Sequence, residues 1–148
     1  MSIWIHDHQF ELYPEANLPI LALIKGNQFN ADNAGGGLFL RETQNTVIRN
    51  NIFAGVSNYG IRAEAYWPDI YNENGLILGN NFSNAAFNRA SIILDPTSRN
   101  WTVVGSNNKD DVIDQGIDNV ITGMNVKTFD GSLGQTIKDN FILLKNMH

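Results

Sequence analysis

Apolar residues along this chain alternate with polar ones in short runs, and the runs break at glycine or asparagine. One run recurs: an apolar, usually β-branched residue, any residue, Gly, Asn or Asp, then usually Asn, any residue, then Phe. It reads Ile5, Asp7, His8, Phe10, then Ile24, Gly26, Asn27, Phe29, then Ile48, Asn50, Asn51, Phe53, and most cleanly Ile77, Gly79, Asn80, Phe82. Two degenerate copies follow, Val103, Gly105, Ser106, Asn108 and Ile121, Gly123, Met124, Val126. The third positions lie 19, 24, 29, 26 and 18 residues apart, the length of one supersecondary unit but too irregular for a leucine-rich or ankyrin array. Between copies a second alternating strand falls at 37–41, 60–64 and 91–95, with Leu38 and Leu40, Ile61 and Ala63, and Ile92 and Leu94 on one face.

Two strands per repeat, with no room between them for a crossover helix, predict strands that stack in parallel on their counterparts in the next repeat. Asn27, Asn51 and Asn80 would then meet at the strand spacing of about 4.8 Å and hydrogen-bond in a ladder. Phe10, Phe29, Phe53 and Phe82 would form an aromatic column beside it. The competing reading is ordinary turn chemistry in a β-sandwich. The expected fold is all-β: a single-stranded right-handed parallel β-helix of about six coils over residues 3–126, in one domain of 1–148. Leu133, Ile137, Phe141 and Leu144 space a short amphipathic helix in the C-terminal segment 127–148, suited to cap the last coil. The first coil starts within a few residues of Met1, leaving no room for a cap, so a longer parent chain or a second copy is expected to shield that end.

Composition narrows the partners. The chain of 148 residues carries a net charge of −5 and no cluster of Lys and Arg, which disfavours nucleic acid. No apolar run reaches the roughly 20 residues that span a bilayer, so no membrane role is expected, and the first residues do not form a signal peptide. Only 17% of residues are charged; the polarity comes from abundant asparagine, which with 13 glycines marks a turn-rich chain. The absence of cysteine excludes disulfides and thiolate metal sites.

Residues 48–53 and 77–82, each followed by a Gly-led apolar strand, resemble the coils of pectin-lyase-like right-handed β-helix proteins over about residues 3–126. The opening Trp4, Ile5, His6, Asp7, His8 is similar to the Trp-Ile-Asp-His stretch of pectate lyases with His and Asp exchanged. No paired-aspartate, His-Gly and Arg-x-Lys set of the polygalacturonase kind is present. The resemblance therefore implies a fold and an association with carbohydrate, not a particular reaction.

Stacking turns distant residues into neighbours. Arg41, Glu64 and Asp95 align in one outward row, with Phe39, Arg62 and Ile93 in the next. Glu64 and Asp95, with Arg62 beside them, are the catalytic candidates: such a pair can bind Ca²⁺ or abstract the proton alpha to a uronate carboxylate. As a surface ion-pair ladder the row would contribute at most about 1 kcal/mol per pair. Arg41, Tyr66, Trp67 and Tyr71 are the candidate substrate contacts, the aromatics lying in a Pro-broken loop of the longest coil where rings can stack on sugars. His6, Asp7 and His8 carry imidazoles suited to Zn, Cu or Ni, yet a turn-filling role fits them better, and Asp110, Asp111, Asp114 and Asp118 form an acidic patch without EF-hand spacing; no metal or cofactor is assigned beyond Ca²⁺ as an option. The expected function is a carbohydrate-associated module with a binding or structural role, extracellular or in the cell envelope. The alternatives are a lyase or glycoside hydrolase acting on uronic-acid polysaccharide, and a structural element of a tail-spike or surface protein.

Overall fold

The computed structural model describes residues 3–6, 22–32, 34–67, 69–105 and 110–127, with only the backbone at 3–6 and 34. Among them are fourteen β-strands and no helix, and every strand pairing is parallel. The predicted C-terminal helix at 133–147 lies outside the described residues, as do Asp7, His8 and Phe10.

Three sheets are visited in turn. A five-stranded sheet stacks β2 (Ala22–Lys25), β5 (Thr46–Arg49), β8 (Leu76–Leu78), β11 (Thr102–Val104) and β13 (Val120–Thr122) in chain order. A seven-stranded sheet runs through β1 (Ile3–His6), β4 (Ala34–Arg41), β6 (Ile52–Glu64), β9 (Asn81–Leu94), β12 (Asp111–Asp114) and β14 (Asn125–Lys127), with β3 (Gln28–Asn30) also pairing β6. The third sheet pairs β7 (Asn72–Glu73) with β10 (Ser98–Arg99), and single parallel bridges from Gln44 to Glu73 and from Arg99 to Ile117 extend it on both sides.

The registers are those the repeats predict: Ile24 opposes Ile48, Ile48 opposes Ile77 and Ile77 opposes Val103, while Leu38, Ile61 and Ile92 align in the larger sheet. Their side chains meet in one buried core with Phe29, Phe53, Phe82, Leu40, Leu94 and Val112. Phe29 and Phe53 stack with ring centroids 4.9 Å apart, as do Phe53 and Phe82, and Phe87 ends the column edge-on at 5.8 Å.

The asparagine ladder is formed. Asn27 donates its backbone N–H (2.9 Å) and side-chain amide (3.2 Å) to Asn51 Oδ1, and Asn51 donates the same two groups to Asn80 Oδ1 at 3.0 Å each. The spare Nδ2 proton of Asn51 reaches back to the Ile24 carbonyl (3.0 Å), and that of Asn80 to Ile48 (2.9 Å). The residue before each rung is left-handed, at φ 69° for Gly26, 54° for Asn50 and 63° for Gly79, which explains the preference for glycine or asparagine there.

Two expectations change. The stretch from Ile5 is not a first copy of the Ile-to-Phe pattern, because β1 pairs with β4 and sets Ile5 opposite Leu40 and His6 opposite Arg41. At the other end Val126 opposes Val112, which opposes Ile92, so the last copy turns into the second-strand column and leaves the phenylalanine column. Both slips have one cause: the two strand types share period-2 alternation, and only pairing partners separate them.

At the corner that returns each repeat to the five-stranded sheet stands a second left-handed column, Asn45, Asn74, Asn100 and Asp118, at φ 53–58°. One residue further on, Trp101 is fully buried, donates Nε1–H to the Asn72 carbonyl at 3.0 Å and lies against Gly75, where a Cβ would overlap its ring.

Asn51 is 1% exposed and satisfies both neighbouring repeats, so Asn51→Ala should lower unfolding free energy by about 2–4 kcal/mol by stranding buried polar partners. Asn27→Ala, at an exposed end of the ladder, should cost well under half of that. Trp101→Ala should cost about 3–5 kcal/mol. Urea midpoints at unchanged m-value measure all three.

Candidate functional site

The ends of β4, β6 and β9 bring the predicted row together. Arg41 opposes Glu64, and the Asp95 N–H bonds the Ala63 carbonyl at 3.1 Å, which carries the register one residue past β9 and sets Asp95 beside Glu64. In the adjoining row Phe39 opposes Arg62 and Arg62 opposes Ile93. Two members of that row are covered, Phe39 at 5% and Ile93 at 1% exposed, while Arg62 between them is partly exposed. Ile93 packs with Ala90, Ile113 and Tyr59 in a small second cluster on this side of the sheet.

The charged residues are engaged with their neighbours. Arg62 pairs with Glu64, and its guanidinium lies 5.8 Å from the Phe39 ring centre and 5.9 Å from that of Tyr59. Arg41 lies over Phe39 at 5.0 Å and over Tyr66 at 5.4 Å. Asp95 closes the turn after β9, where its Oδ1 accepts the Thr97 N–H at 2.8 Å and the Thr97 hydroxyl at 2.5 Å. Burial pushes the Asp95 carboxyl above the usual aspartate range, opposed by the Thr97 hydrogen bonds, reinforced by the negative charge of Glu64 and opposed again by Arg62.

The aromatics divide. Tyr66 and Trp67 are 64% and 43% exposed and meet edge to face with ring centroids 5.0 Å apart, beside Arg41. Their backbone is anchored at its base, where the Tyr66 N–H donates to Glu42 Oε1 at 3.2 Å and the Ala65 N–H to Thr97 Oγ1 at 2.8 Å. Tyr71 is instead half-buried, one face covered by the Arg99 guanidinium at 3.9 Å, and Arg99 also pairs with Glu73 at 2.6 Å. Glu42 and Thr97 escaped the sequence reading; the one available signal was their position just past aligned strand ends.

The acidic patch disperses into local contacts. Asp111 accepts from Lys127 at 2.9 Å and from the Asn125 amide at 2.6 Å, while Asp114 Oδ1 accepts from the Gly116 N–H and the Asn119 amide. Asp118 occupies the left-handed corner position. A shallow cleft lined by Phe82, Phe87, Ala90, Ser91, Asp110 and Asp111 lies beside this segment. No group of three or more His, Asp or Glu able to hold a metal ion occurs among the described residues.

No family model, curated protein or solved structure matches the chain.

Followed by NMR through an acid titration, the Asp95 carboxyl should ionise above the ordinary aspartate range. Glu64→Gln should bring its midpoint down, because the charge removed favours the proton. Since the folded chain holds this proton more tightly than the unfolded chain, Asp95 should make the fold less stable as pH rises from the ordinary aspartate value through the raised one.

Proposed function

We propose that the three parallel sheets are the faces of one right-handed parallel β-helix of the pectin-lyase-like kind, and that the protein is a carbohydrate-binding module acting outside the cell or in its envelope. One observation carries this reading: the exposed pair Tyr66 and Trp67, set nearly at right angles (83°) on a loop tethered to the repeats on both sides. Large apolar rings left in water suit the C–H faces of sugar rings, and the backbone at Ala65 and Tyr66 is already hydrogen-bonded to both neighbouring repeats, which lowers the entropic cost of binding. Arg41 beside Tyr66 offers guanidinium donors to hydroxyl or carboxylate oxygens. Glu64, paired with Arg62, and Asp95, bound to Thr97, serve in this reading to build the support and not as acid and base.

Affinity electrophoresis in gels containing polygalacturonate, alginate or xylan tests it. The native chain should be retarded in at least one gel. Trp67→Ala and Tyr66→Ala should each weaken that retardation about tenfold, as expected for the loss of one ring contact of roughly 1.5 kcal/mol, at an unchanged thermal midpoint. Undiminished retardation in the double variant, or none for the native chain, overturns the reading.

A further inference from the structure

Resting on that reading, we infer that Asp95, acting through Thr97, and Glu42 are positioning residues that clamp the Tyr66–Trp67 platform from opposite sides of its repeat, so that acid loosens the platform and weakens glycan binding. The clamp follows from where two successive amides go. Past the end of β6, the N–H groups of Ala65 and Tyr66 take side-chain acceptors. Tyr66 turns to Glu42, at the end of β4 one repeat earlier, and Ala65 turns to Thr97, beyond β9 one repeat later.

Each half of the clamp is itself held. Glu42 is fully buried and left-handed, at φ 57°, a conformation that a non-glycine residue keeps only where its surroundings enforce it. Thr97 has one hydroxyl proton, and Asp95 Oδ1 takes it, which leaves the hydroxyl oxygen to receive Ala65. The Asp95 turn is fixed onto β6 by the Asp95 N–H and the Ser98 hydroxyl, both bonded to the Ala63 carbonyl at 3.1 Å. The result is a chain of hydrogen bonds from a carboxylate to the backbone that carries the exposed rings.

The dependence on acid follows by reciprocity. The Thr97 hydrogen bonds favour the ionised carboxylate, so protonation must weaken them in turn. The charged groups that act on Asp95 are Glu64 and Arg62, both on β6; from the β12 side the adjoining turn presents Gln115, whose N–H bonds Leu94, and no charge. Burial sets the change above the ordinary aspartate range; Glu64 adds to that and Arg62 opposes it.

Amide hydrogen exchange of the full chain by NMR, run beside affinity electrophoresis in polygalacturonate, alginate and xylan gels, tests the clamp. Thr97→Val should speed exchange at Ala65 about tenfold and weaken retardation, while Thr97→Ser, which keeps the hydroxyl, should stay near native. Glu42→Ala should do the same at Tyr66, and Glu42→Gln, which keeps an acceptor oxygen, should restore it. After correction for intrinsic rates, native Ala65 exchange should step upward as pH falls through the Asp95 titration, and the step should vanish in Asp95→Asn. Slow Ala65 exchange in Thr97→Val, or an acid step that survives in Asp95→Asn, overturns the clamp. Amides that respond as described in a chain that none of the three gels retards would uphold the clamp and overturn the glycan reading.

Discussion

A turn amide facing away from its own strand needs an acceptor, and in this protein the acceptor is supplied by the following repeat. Asn80 Oδ1 receives two N–H groups of Asn51, and Asn51 Oδ1 receives two of Asn27. Each rung fixes its neighbour in translation along the strand as well as across it, because a shift of one residue would leave two donors and an acceptor buried without partners. The isoleucine rows and the phenylalanine stack are consequences of this register as much as contributors to it. Isoleucine could pack against isoleucine at several offsets, whereas the amide bonds are made at one.

The surface row inherits that register. Arg41 faces Glu64 because Leu40 faces Ala63, and Asp95 reaches the same line because Leu94 faces Ala63 from the other side. Chemistry on the outside of the sheet is thus set by packing on the inside. Within this alignment Glu64 pairs with Arg62 and Asp95 closes a turn. The two carboxylates, adjacent in space, have different partners because one ends a strand and the other begins a turn.

Much of this was legible in the sequence. The pattern at Ile24, Ile48 and Ile77 and the rows at Leu38, Ile61 and Ile92 combine alternation with a marked turn, and together those fix both face and register. The third sheet was missed because β7 and β10 are two residues each, too short for alternation to show. Its signal lay instead in Asn74, Asn100 and Asp118, which recur at the same intervals of 26 and 18 as the turn glycines. At the surface, alternation says which side of a strand a residue occupies but not whether that side is covered, so the burial of Phe39 and Ile93 is not legible from it. The hold of Glu42 and Thr97 on Ala65 and Tyr66 had no signal beyond their position past aligned strand ends, because it links backbone amides to side chains 24 and 32 residues away.

The corner between the larger sheet and the third one differs in length from repeat to repeat: two residues at 42–43, seven at 65–71, three at 95–97 and two at 115–116. The flanking pairings are unaffected, since Arg41 still meets Glu64 and Asn72 still meets Ser98. Extra chain at this corner lies outside the asparagine ladder and the paired strands, and each added residue costs little closure entropy. Segments of different length and composition should therefore be interchangeable there, which makes the corner the natural point of graft for changing the surface of the same stack.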